Sequence, residues 1–125
     1  MQDEYDVIHV ESNEGVKFVV GQYMDKLNRT YIGLGCLEDL RVCLQDGDRA
    51  KVWCVGGDLA ENPGETKTYC PQKAFNIIRR VCPGAKILHL SLNDDAEQVA
   101  REEDVDFVSK ENPEAVAVKL EEMLD

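Results

Sequence analysis

Apolar residues fall along this chain in short blocks that alternate between two periods. Tyr5 to Val10 has the apolar content of a strand and runs into the polar Glu11-Ser12-Asn13. Beyond it Val16, Val19, Val20, Tyr23, Met24 and Leu27 return at helical spacing, with Ser12 or Asn13 placed to cap the helix. Thr30 to Leu34 reads as a short strand closed by Gly35, Leu37 to Gln45 as a helix ending before Asp46-Gly47-Asp48, and Lys51 to Val55 as a buried strand. The stretch 57–72 breaks the pattern. Its Gly, Pro and Asn content predicts a loop, longer than most strand-to-helix connections. A helix from about Gln72 to Val81 follows, with Ala74, Phe75, Ile78 and Val81 on one face and Pro83-Gly84 as its stop. The last third repeats the alternation: a strand from Ala85 to Leu90, a short helix from Asn93-Asp94, a strand from Val105 to Val108, and a final helix starting at a proline. Five strand–helix pairs in succession require parallel strands with right-handed crossovers. The expected architecture is a three-layer α/β/α sandwich.

Composition narrows the function classes. The 125 residues suit one domain, with no room for a separate effector domain. With 25 acidic and 14 basic side chains the formal net charge is -11, which repels nucleic acid and anionic membrane surfaces. The first residues have neither a basic region nor a long apolar run, so no secretory signal is expected, and no stretch reaches transmembrane length. Five scattered cysteines without a C-x-x-C pair argue against a disulfide framework and a zinc site; a reducing, cytoplasmic location is expected. The G-x-G-x-x-G and Walker patterns are absent. His9 and His89 lie inside predicted strands and read as core or sheet-face residues.

The candidate chemistry sits at strand ends. Ser91 closes the strand Ala85 to Leu90, and Lys110 follows Val105-Asp106-Phe107-Val108-Ser109. In an open parallel sheet the carboxyl ends of the strands line one crevice, so this hydroxyl and this ammonium would face one site suited to a phosphoryl group or a carboxylate. Blander roles are open to both: Ser91 as the cap of the next helix, Lys110 as a solvated side chain.

The ordered set ILHLS with Asn93-Asp94-Asp95, then DFVSK with Phe107 three residues before the lysine, then a proline-initiated last helix, resembles the second half of a response-regulator receiver (CheY-like) domain. The resemblance covers the whole chain and is densest after Ala85. It implies a five-stranded parallel sheet of flavodoxin-like topology, with Ser91, Lys110 and Phe107 as switch hydroxyl, phosphate-pairing cation and switch aromatic. In that family a carboxylate ending the third strand accepts a phosphoryl group, with Mg²⁺ held on an acidic pair after the first strand. Here the pair is replaced by Glu11 and Ser12, which leaves one carboxylate. Counting without gaps from Glu11 puts Gly56 at the acceptor position; a two-residue insertion puts Asp58 there, supported by Asp58-Leu59 and the later Pro63-Gly64. Glu11 and Asp58 are accordingly the candidate Mg²⁺ ligands, at a weakened site.

The expectation is a single receiver-like domain over residues 1–125, not an enzyme, that acts by docking another signalling protein: a histidine kinase, a phosphotransfer protein or a downstream effector. An atypical or pseudo-receiver with a degenerate phosphorylation site is the first reading. A phosphorylatable single-domain response regulator, accepting a phosphoryl group on Asp58 in a two-component phosphorelay, is the alternative. A small enzyme or cofactor binder on the same fold is a third, with Cys54 and Cys70 as the thiols nearest the crevice.

Overall fold

The computed structural model describes residues 3–125. Its elements run β1 (Glu4–Val10), α1 (Glu14–Lys26), β2 (Tyr31–Leu34), α2 (Leu37–Gln45), β3 (Arg49–Val55), β4 (Asp58–Leu59), β5 (Thr68–Tyr69), α3 (Pro71–Val81), β6 (Lys86–Ser91), α4 (Ala96–Glu102), β7 (Asp106–Ser109) and α5 (Pro113–Leu124). Five strands form one sheet in the order β2-β1-β3-β6-β7, every neighbouring pair parallel. That is the flavodoxin-like order expected from the alternation, and it reverses direction between β1 and β3.

Each long strand divides its side chains between two cores, because successive residues point to opposite faces. Ile8, Val10, Trp53, Val55 and Ile87 pack with Leu37 and Leu40 of α2 and Phe75 and Ile78 of α3. Val7, Val52, Cys54, Leu88 and Leu90 pack on the other face with Val20 and Met24 of α1 and Val116 and Leu120 of α5. With both faces covered, the central strands are apolar throughout, as buried parallel sheets are. Of the two candidate caps for α1, Asn13 is the one used: its side chain accepts from the Val16 amide at 3.1 Å. Gly47, at φ 89, supplies the left-handed residue that turns the chain out of α2.

Three local expectations change. Val81 and Leu27, placed by period on apolar faces, are exposed: Val81 is the last residue of α3, and Leu27 is the cap that follows α1. The helix after Ser91 starts at Ala96, not near Asn93. The Ser91 hydroxyl instead accepts from the Asn93 amide at 2.9 Å, a local turn of the chain leaving the strand. The stretch 57–72 is structured: β4 and β5 pair antiparallel, with Asp58 opposite Tyr69 and Leu59 opposite Thr68.

This hairpin does work that α2 cannot do for itself. Cys36 offers α2 no side-chain cap, and the Leu37 and Glu38 amides donate to the carbonyls of Ala60 and Glu61 at 3.0 and 2.9 Å. Arg41 of α2 grips the Glu61 carboxylate with both terminal nitrogens, and Leu59 and Ala60 are buried beneath.

Candidate functional site

The site forms where β1, β3, β6 and β7 end together. Val10 pairs with Val55, and the next residue of each chain, Glu11 and Gly56, continues the register: the Glu11 amide donates to Leu34 and the Gly56 amide to Val10. On the other side Ser91 pairs with Ser109, which sets Lys110 one residue beyond the sheet.

Glu11 is wholly buried rather than solvated at the start of α1. Its carboxylate lies 3.3 Å, through each oxygen, from the ammonium of Lys110 and accepts from the Asn13 amide at 3.1 Å. Lys110 is itself mostly covered. A carboxylate removed from water survives only with such partners, and here one full cation and one helix-terminal amide supply them.

Gly56 explains how the carboxylate fits. A Cβ at Gly56 would lie 2.6 Å from Glu11 Oε1, so the absent side chain is the space the carboxylate occupies. Gly57 is enclosed from another direction: a Cβ there would meet Tyr69 Cε1 at 2.6 Å and Ser91 Oγ at 2.9 Å. Gly56→Ala should destabilise the fold by about 1–3 kcal/mol through overpacking, and pairing it with Glu11→Ala should recover much of the loss in urea unfolding. An equal loss in both backgrounds would mean that the clash is not with the carboxylate.

Two histidines flank the site on opposite faces of the sheet. His89 Nδ1 lies 2.9 Å from the Val55 carbonyl, which can only accept, so Nδ1 carries the proton and Nε2 accepts from the Tyr69 hydroxyl at 3.0 Å. Burial lowers the His89 pKa, and burial likewise raises that of Tyr69, with Asp95 and Asp58 adding to it. The ring of Phe107 is tilted against His89 at 6.1 Å between centroids, and Phe75 meets the same imidazole edge-on at 5.6 Å. His9 is fully buried, with Nδ1 2.7 Å from the Tyr31 hydroxyl. Its Nε2 has no hydrogen-bond partner and sits 3.9 Å from Glu11 Oε1. Burial, then Lys17 and Lys110, push this imidazole down to about 3.

Of the residues singled out in the sequence, Glu11 and Lys110 are therefore in direct contact. Ser91 adjoins the same Gly56-Gly57 pair, and Phe107 is half-buried one layer away against His89. Asp58 is exposed at the start of β4, where its carbonyl accepts from the Ser12 hydroxyl at 2.8 Å. Among the described residues no three His, Cys, Asp or Glu side chains come together as a metal-holding group. The one carboxylate inside the site already has an ammonium against both oxygens, a donor set that does not suit Mg²⁺, which binds through free carboxylate oxygens and water. The Cys54 thiol is buried and its pKa pushed well up, the reverse of an activated nucleophile. Tyr69 was not singled out by the sequence. A tyrosine just before Cys70-Pro71 in an irregular stretch gives no periodic signal, and its role comes from the hairpin that aims it at His89.

Sheet order, layers and the placement of these strand ends define the fold of response-regulator receiver domains, and comparison with solved structures agrees. The receiver domain of the Francisella response regulator 1452 matches with a TM-score of 0.76 over 96% of this chain and 96% of its own, at 9% identity. A CheY-like receiver domain protein from Methanospirillum hungatei matches at 0.75 over 100% and 95%, at 12% identity. The Thermotoga maritima OmpR/PhoB homologue DrrB matches at 0.73 and 20% identity over 99% of this chain, which spans 53% of that one. No protein-family model and no curated protein matches the chain. At these identities the likeness is one of fold, and function has to be argued from the site.

Proposed function

We propose that this protein is an atypical receiver in two-component signalling, acting by docking a signalling partner through a site that does not depend on phosphorylation. The observation that carries the reading is the Glu11 carboxylate, lying in the space of a missing Gly56 side chain and paired with Lys110. In the receiver fold the residue ending the third strand and the lysine ending the last one act together on a phosphoryl group. Here glycine replaces the nucleophile, and the lysine is already neutralised from β1. The charge that a phosphoaspartate would bring next to the lysine is present permanently, which supports a fixed rather than a switched docking surface.

The partner is a histidine kinase, a phosphotransfer protein or a downstream effector. The net charge of -11 makes nucleic acid a poor ligand. Among the described residues no helix is long and apolar enough to cross a membrane, and a cytoplasmic setting fits the unpaired cysteines.

One observation favours the second reading, a receiver phosphorylated on Asp58. Asp58 is exposed, and the Ser12 hydroxyl ties its backbone to the residue after Glu11, so the hairpin holds Asp58 beside the chain that leaves β1. Intact-mass analysis after incubation with Mg²⁺ and acetyl phosphate, with Asp58→Asn alongside, separates the two. The expected result is no adduct on folded protein. A single phosphoryl adduct that the variant loses would establish the second reading and end the first.

A further inference from the structure

Val118 stands on the outer side of α5, 59% exposed, one turn from Glu114 and one from Glu122. On its α1 side lies a groove of about 450 Å³, floored by Tyr23, Leu27 and Val118 and rimmed by those two glutamates, with Lys26 on the α1 edge, its ammonium 5.8 Å from the centre of the Tyr23 ring. The neighbouring acids Glu121 and Asp125 are engaged by Arg29, at 2.7 and 3.2 Å, whereas Glu114 and Glu122 have no ion-pair partner among the described residues. An apolar floor bounded by unpaired carboxylates has a definite complement: a helix with apolar anchors at three- and four-residue spacing and lysine or arginine beside them.

We infer that this groove between α1 and α5 receives a basic amphipathic helix of a partner protein. A second copy of the chain is the wrong occupant, because two molecules of net charge -11 would meet with the same glutamates face to face. Tyr23 and Leu27 lie at the C-terminal end of α1, whereas Glu11 precedes its N-terminus, so the α1 wall of the groove is separate from the contacts of Glu11.

The test uses a fluorescent Leu/Lys amphipathic helix about five turns long, with a Leu/Glu peptide of the same pattern as control, read by anisotropy at low and high salt. The Lys peptide should bind and the Glu peptide should not. Val118→Asp should weaken binding by at least about tenfold, although it adds a negative charge that would strengthen any purely electrostatic attraction. Reversing both Glu114 and Glu122 to Lys should weaken binding and flatten its salt dependence. All three positions are exposed, and circular dichroism of each variant checks the fold. No binding of the Lys peptide, or binding that Val118→Asp leaves unchanged or strengthens, would overturn the proposal. So would a dimer of the unliganded protein that Val118→Asp dissociates in sedimentation, since the groove would then belong to a second copy.

Discussion

Lys110→Met should lower the free energy of unfolding by about 3–5 kcal/mol, an unusually large cost for a lysine near the surface. The reason is not the lysine but what it leaves behind. Glu11 has no exposure, and its remaining donors would be the Asn13 amide and, 3.9 Å away, an imidazole with no proton to spare for a charge. Methionine nearly preserves the volume, so the loss reports the stranded carboxylate rather than a cavity. Glu11→Gln should cost less, because the freed ammonium can swing toward solvent on its long stem. The double variant Glu11→Gln/Lys110→Met should be more stable than Lys110→Met alone, since removing both charges removes the uncompensated one. Urea unfolding of the four proteins gives the coupling directly. If Lys110→Met stays within about 1 kcal/mol of the native protein, in the range of an exposed pair, the carboxylate is hydrated. It would then be free to hold a metal ion, and the reading of a permanently neutralised lysine would fall.

The order of elements was legible because each is local. A six-residue apolar block or a helical stripe needs no knowledge of its neighbours, and a strict alternation of strand and helix leaves few topologies. The site was half legible. Ser91 and Lys110 stand at strand ends, and a parallel sheet brings such ends to one edge whatever the rest of the chain does. Glu11 could not be read as buried, since a carboxylate after a strand has the same local pattern whether it meets water or an ammonium 99 residues away. Local pattern leaves Gly56 and Asp58 both open as the acceptor position. Register between β1 and β3 places Gly56 against Glu11, and the pairing of Asp58 with Tyr69 depends on a two-residue strand that no periodicity could announce. Leu59 looked like a loop residue and is buried, because the hairpin folds back to serve the bare N-terminus of α2. What sequence pattern missed, in each case, was a contact made by a segment too short to have a pattern.

His9 should make the fold acid-sensitive well above the range where carboxylates titrate. The imidazole is completely enclosed, and the groups that face it are the Tyr31 hydroxyl, the cations Lys17 and Lys110, the buried Cys54 thiol and the Glu11 carboxylate already held by Lys110. Burial and the two lysines hold it neutral down to about pH 3, while in the unfolded chain it protonates near 6.5. Below 6.5 the unfolded state therefore binds a proton that the native state refuses. Stability is fully present above that pH and falls by about 1.4 kcal/mol per pH unit toward the folded pKa. Between pH 6.5 and 4.5 the loss from His9 alone should reach about 2 kcal/mol, and His89, lowered in the same direction by burial, adds to it. The window is clean at its lower edge. Glu61, held down by Arg41, and Asp6, held down against its own burial by the Thr30 amide and Lys51, withdraw their stabilisation only at lower pH. His9→Gln can keep the bond to Tyr31 without a proton to gain. Urea midpoints across this range should therefore fall less steeply for His9→Gln than for the native protein, by about one proton's worth of slope. Parallel slopes would mean that the native state takes up the proton as readily as the unfolded chain. The gap of 3.9 Å between His9 Nε2 and Glu11 Oε1 would then close into an ion pair on acidification, and Lys110 would be released from its carboxylate as the pH falls.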